Sequence, residues 1–245
     1  MDAQPPIPTP DADRPDPLVP ALEQRAAQGE TRGLALFCHG GTVASIEPPR
    51  ERALSLVRMR AFDQFVHASA AAQGIGTALL RSRVAGWNGE AADAFQDVRW
   101  AIARLREEHG TDVPIVLVGH SMGGRAVLRA GSEPSVTAVC ALAPWTPPGE
   151  PVLPLRGQTV AVLHGRGDRW VPARLSFDHA VRARRAGARV ARFTIAGGHS
   201  MVRRSARWHA FARDVVLAGT GLAPMRADIA EAMQQPSPEG LSVPL

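Results

Sequence analysis

Three short patterns in this chain hold residue types that could do chemistry together. The apolar run Ile115-Val116-Leu117-Val118 leads directly into Gly119-His120-Ser121-Met122-Gly123-Gly124, and a helix-patterned segment follows at once. Gly-x-Ser-x-Gly between a strand and a helix is the setting of a nucleophile elbow, where a strained serine backbone lifts the hydroxyl clear of the sheet. Glycines suit the flanks because a Cβ there would strike neighbouring backbone. A hydroxyl is a poor nucleophile near neutral pH, so it needs a base within hydrogen-bond reach. Gly197-Gly198-His199 offers an imidazole for that role. Gly165-Arg166-Gly167-Asp168 offers a carboxylate that can hold the imidazole in one tautomer and stabilise its charged form.

The sequence carries an internal control. Gly-His-Ser-Met recurs at Gly198-His199-Ser200-Met201, but Val202 stands where the last glycine would be, and Ala196-Gly197-Gly198 separates it from the preceding strand. The first copy therefore presents a serine and the second a histidine. Other candidates fit less well. His120 lies inside the elbow and is expected to point away from the serine's partner. His209 sits mid-helix, and His164 is expected to support the turn before the acid. Glu150 is the first carboxylate after the run at 137–142, too far along to serve.

Acyl transfer also needs donors aimed where negative charge develops on the carbonyl oxygen. The run at 34–38 delivers Cys38-His39-Gly40-Gly41-Thr42. The backbone N–H groups of Gly41 and Met122 are assigned this task, with Thr42 as a third donor. His39 and Gly40 are expected to line the substrate, together with Trp87, Trp145 and Trp170, which follow strands or flank the acid.

These residues need a scaffold that brings distant segments to one edge. Apolar runs of strand length occur at 34–38, 77–84, 115–118, 137–142, 159–163 and 190–195. Helix-patterned segments lie at 52–72, 90–108, 122–130, 173–186 and 201–217, with a small one inside 219–235. Such alternation implies an α/β fold, with a mostly parallel sheet of about six strands flanked by helices. In that arrangement the loops at the carboxyl ends of the strands form the functional edge. Residues 1–20 are proline-rich and read as a disordered lead, 18–28 as a short amphipathic helix, 21–235 as one domain and 236–245 as a loose tail.

Composition narrows the classes. The chain has 245 residues, 45% of them hydrophobic, enough for one α/β domain with a full core. No apolar run approaches a membrane span, and the start lacks the basic and apolar regions of a secretory signal, so a cytoplasmic location is expected. All 28 basic residues are arginine, and the net charge is +5. The arginines carry no aromatic interleaving or recognition motif, so nucleic acid is not an expected partner. Cys38 and Cys140 lie in apolar runs, and a disulfide is not expected. No cluster has metal-ligand spacing, and no glycine loop suits a phosphate, so neither metal nor cofactor is expected.

His39-Gly40-Gly41, the elbow, His164-Gly165-x-x-Asp168-x-x-Val171-Pro172 and Gly198-His199 together resemble the α/β-hydrolase superfamily over about residues 33–218. The chain order serine, acid, histidine is that of the superfamily. The resemblance implies Ser121 as nucleophile, Asp168 as acid and His199 as base. Only 143–157 separates two strands where many members insert a helical cap. The chain is therefore similar to the small, capless dienelactone-hydrolase-like and carboxylesterase-like members. Many members also begin with an antiparallel hairpin, for which the lead leaves no room. The implied activity is hydrolysis of a small-molecule carboxylic ester or thioester through an acyl-enzyme. A triad-based acyltransferase or cyclising enzyme is the alternative, and a non-catalytic binding protein on the same scaffold is a further one.

Overall fold

The computed structural model describes residues 18–245. The proline-rich lead expected over 1–20 lies, apart from its last three residues, outside them. The chain runs β1 (Ala21–Arg25), β2 (Gly33–Cys38), α1 (Leu54–Ala70), β3 (Ile75–Arg81), α2 (Asp93–His109), β4 (Ile115–His120), α3 (Met122–Arg129), β5 (Val136–Leu142), β6 (Thr159–Gly165), α4 (Ala173–Arg185), β7 (Arg189–Ile195), α5 (Ser205–Gly219), α6 (Ala227–Gln234) and β8 (Val243–Pro244). One sheet has the order β1-β3-β2-β4-β5-β6-β7-β8. Only β1 is antiparallel to its neighbour.

The central strands β2, β4 and β6 are buried on both faces, as parallel strands covered by helices must be. Alternate side chains enter two cores. Leu36 and Leu117 pack with Val98 and Ile102 of α2, Val127 of α3 and Ala180 of α4. Phe37 and Val116 pack with Met59 and Phe62 of α1, Phe211 and Val215 of α5 and Ile229 of α6. The strand period of two thus feeds helical layers on opposite sides. Cys38 and Cys140 are free and buried, and burial pushes both thiols far up.

The sheet has eight strands rather than about six, and both additions correct the sequence reading. The helix expected over 18–28 is instead β1, paired from Ala21↔Arg81 to Arg25↔Thr77. A helix that short is marginal in isolation, whereas the outer edge of β3 offers a row of unpaired backbone groups. Ion pairs to α1 fix the strand there: Glu23 with Arg60, and Arg25 with the buried Asp63 at 2.8 Å. The tail expected to be loose is packed. Leu241 is buried, and β8 pairs with Phe193 and Thr194 of β7. The buried Arg192 guanidinium donates to Leu241 O at 2.9 Å, Ala173 O at 2.8 Å and Ser176 Oγ at 2.9 Å.

Parallel register places the chemistry at one edge. Cys38 lies opposite Gly119, His120 opposite Leu142, Leu142 opposite Leu163, and Gly165 opposite Ile195. The segments beginning at 39, 121, 166 and 196 therefore all leave the sheet on the same side.

Candidate active site

Ser121 sits between β4 and α3 with φ 55° and ψ −116°, a conformation that L-residues rarely adopt. The flanking glycines permit it. A Cβ on Gly119 would lie 2.3 Å from Gly123 O, and one on Gly123 would lie 2.3 Å from Cys38 O. Strand and helix backbones thus meet where no side chain fits, and the serine side chain projects at the carboxyl edge.

His199 Nε2 lies 2.8 Å from Ser121 Oγ, and its Nδ1 donates to Asp168 Oδ2 at 2.7 Å. The three candidates chosen from sequence are thus brought together, although 78 residues separate Ser121 from His199. Asp168 Oδ1 accepts the backbone N–H groups of Trp170 at 3.0 Å and Val171 at 2.9 Å. Burial pushes this carboxyl up. Hydrogen bonds from His164, His199 and Val171 outweigh it and hold the carboxyl well below its usual range.

The neighbouring imidazoles take different places from each other. His164 is fully buried; its Nε2–H faces Val171 O at 3.0 Å and Asp168 Oδ2 at 3.3 Å, bracing the acid loop. His120 corrects the sequence reading: it does not point away from the serine's partner. Its Nε2–H donates to His199 O at 3.0 Å, and the two rings lie 4.7 Å apart. The sharp turn at Ser121 swings the preceding side chain under the His199 loop. Burial pushes His120 down to about 3, helped by the like charges of His199 and Arg58.

A folded-state value below the ordinary ~6.5 of histidine gives a definite sign. The native state refuses a proton that the unfolded chain accepts. This contribution to stability is therefore whole above about pH 6.5 and is lost as pH falls toward about 3. His120→Asn keeps a donor for His199 O but does not titrate. Between about pH 6.5 and pH 4.5 the wild type is expected to lose up to about 1.4 kcal/mol per pH unit more than this variant. Parallel urea-unfolding profiles for the two proteins would show that His120 is not held neutral.

Of the expected oxyanion donors, the N–H groups of Gly41 and Met122 have no hydrogen-bond partner among the described residues. Gly41 admits no Cβ, which would lie 2.3 Å from Ala85 O and 2.5 Å from Met122 Cε. Thr42 is a correction. Its N–H donates to Ala85 O at 2.8 Å, tying the loop to the chain after β3, so it is not available as a third donor.

Ser121 and His199 open into a cavity of about 1130 Å³. Gly40, Trp145 and Trp170 line it as expected, and Trp170 is 85% exposed with its ring 5.8 Å from that of His199. His39 and Trp87 do not. His39 turns to the opposite side, where Nδ1–H donates to Gly40 O at 2.7 Å and Nε2 accepts from Ser82 N at 3.3 Å. Trp87 is buried edge-on against Trp145, with the Arg125 guanidinium 3.7 Å from its ring centre. Much of the lining comes from residues the sequence reading did not assign to the cavity: Val43, Pro48 and Pro49 in the connection after β2, and Leu54 and Arg58 on α1. The available signal was the long proline-bearing connection between β2 and α1 at the functional edge.

Among the described residues, no helix is long and apolar enough to cross a membrane. No group of three or more His, Cys, Asp or Glu side chains there could hold a metal ion.

Comparison with known proteins agrees with this fold. A family model described as the alpha/beta hydrolase family matches residues 35–243. No curated protein gives a significant match. Among solved structures, an alpha-beta serine hydrolase homologue from Coxiella burnetii is 15% identical with a TM-score of 0.59, covering 79% of this chain and 90% of that one. A serine hydrolase without lid from Xanthomonas campestris is 15% identical with a TM-score of 0.55, covering 82% and 88%. A thermophilic esterase from the Planctomycetes species Thermogutta terrifontis, with propionate bound, is 17% identical with a TM-score of 0.62, covering 85% and 92%.

Proposed function

The chain belongs to the alpha/beta hydrolase family, and on that basis we propose that it cleaves a carboxylic ester or thioester through an acyl-enzyme. One observation carries the reading: an unbroken hydrogen-bonded path from Ser121 through His199 to Asp168, ending at a solvent-open cavity. Ser121 Oγ attacks the carbonyl carbon while His199 Nε2 takes its proton. Asp168 stabilises the imidazolium that forms. The free N–H groups of Gly41 and Met122 receive the negative charge on the carbonyl oxygen. The imidazolium then protonates the departing alcohol or thiol. Water, deprotonated by the same imidazole, attacks the acyl-enzyme and releases the acid and the serine.

Hydrolysis is favoured over acyl transfer because no cap among the described residues encloses the intermediate. Only a single 3-10 turn, Leu153–Leu155, interrupts the connection between β5 and β6. With Trp170 exposed at the cavity, water has access to the acyl-enzyme.

The test uses a fluorophosphonate probe with Ser121→Ala as control, followed by short-chain and long-chain p-nitrophenyl esters and acyl thioesters. Ser121-dependent labelling with turnover is the expected result. Labelling without turnover of any ester or thioester would move the assignment to transfer or cyclisation. A folded wild type that takes no label would overturn serine chemistry.

A further inference from the structure

Arg58 lines the same cavity as Ser121 and His199, reaching it from α1. Among the described residues it is the only arginine that is half-buried yet has no side-chain hydrogen bond or ion pair. The other half-buried guanidiniums are engaged, as Arg60 is with Glu23, Arg83 with Asp93 and Asp97, and Arg125 with Glu150. The remaining partnerless arginines, such as Arg50 and Arg169, are exposed and hydrated. A guanidinium that has lost water and gained no acceptor is costly. Burial alone pushes Arg58 down from its ordinary value.

The surroundings strengthen the case. Arg50 and Arg169 also line the cavity, and the only carboxylate among the lining residues is the exposed Glu47. Apolar Pro48, Pro49 and Leu54 lie on the same stretch of chain. The cavity therefore offers a reactive serine, apolar surface and one underhydrated cation. A guanidinium presents a planar fork of N–H donors that fits a carboxylate with two parallel hydrogen bonds.

We propose that Arg58 is a specificity residue that binds a carboxylate on the substrate, so that the ester cleaved is itself an anion. This rests on the hydrolase reading above and names its substrate class: an ester with a free carboxylate on its acyl or alcohol part. That carboxylate is held and leaves chemically unchanged, while the ester bond takes up one water to give acid and alcohol.

The test compares matched substrates. On the acyl side these are 4-nitrophenyl hydrogen glutarate and 4-nitrophenyl pentanoate; on the alcohol side, 3-carboxyphenyl butyrate and phenyl butyrate. The readout is the ratio of kcat/KM, charged over neutral, in wild type, Arg58→Gln and Arg58→Lys. In wild type the ratio is expected to be at least ~10 in one arm, and in Arg58→Gln to fall ~10-fold or more, because a charged hydrogen bond is lost. Arg58→Lys, which keeps charge without the fork, should fall between them. No preference in either arm, or a ratio unchanged by Arg58→Gln, overturns the proposal.

A second measurement does not need turnover. Monoethyl glutarate is titrated calorimetrically into Ser121→Ala and into Ser121→Ala with Arg58→Gln. Binding at least ~10-fold weaker in the double variant supports the carboxylate site. If that difference appears while no ester is hydrolysed, the hydrolase reading fails and the anion site stands. If neutral and charged esters turn over alike, the reverse holds. Equal affinity in the two variants overturns the site.

Discussion

Asp168→Asn is expected to lower kcat by ~10⁴-fold with little change in fold. The reason lies in which oxygen is already committed. Asp168 Oδ1 accepts two backbone N–H groups, so the carbonyl oxygen of an asparagine must take that position. Its NH2 is then forced to where Oδ2 stood, facing His199 Nδ1. That NH2 donates to Nδ1 and drives the imidazole proton onto Nε2. The nitrogen facing Ser121 Oγ is then already protonated and cannot act as base. His199→Ala removes the base outright and should cost ~10⁵-fold or more. The double variant should be scarcely worse than His199→Ala alone, because residues acting as one unit are not additive. These values are read as kcat on whichever ester the wild type turns over fastest. An Asp168→Asn enzyme within tenfold of wild type would mean that another group orients the imidazole.

Glu150→Ala is expected to destabilise the protein by about 3–5 kcal/mol, a loss visible in urea unfolding. Glu150 is buried and bridges two guanidiniums on α3, Arg125 at 2.6 Å and Arg129 at 2.8 Å. Arg182 of α4 donates to its backbone carbonyl at 2.8 Å. Burial pushes Arg125 down, and the charge of Glu150 offsets only part of this. Removing the carboxylate leaves two clustered cations with little water, one of them stacked 3.7 Å from the Trp87 ring centre and 4.7 Å from that of Trp145. The loop that carries Trp145 toward the cavity depends on this clasp. Glu150→Gln retains an acceptor oxygen and should lose less. A Glu150→Ala protein with unchanged midpoint would show that the pairs contribute nothing net.

Much of the site was legible in the sequence because the chemistry imposes local patterns. Glycine at 119 and 123 is demanded by backbone contact across the elbow, and that demand is written as Gly-x-Ser-x-Gly. Asp168 and His199 could be chosen because each follows a separate apolar strand, and parallel strands deliver their carboxyl ends to one edge. Strand and helix periodicities gave the central six strands for the same reason. What stayed hidden depends on partners remote in the chain. Thr42 reads as a free donor until its N–H is seen on Ala85 O. Trp87 reads as pocket lining until Arg125 is found over its ring. β1 and β8 have no strong pattern of their own and exist because β3 and β7 leave open edges. The sequence alone determined the choice of Ser121, Asp168 and His199 as candidates and the layered scaffold, since both follow from short-range spacing. Tertiary structure decided the donors left unpaired, the walls of the cavity and the isolation of Arg58, since hydrogen bonding and burial are properties of segments that meet only after folding.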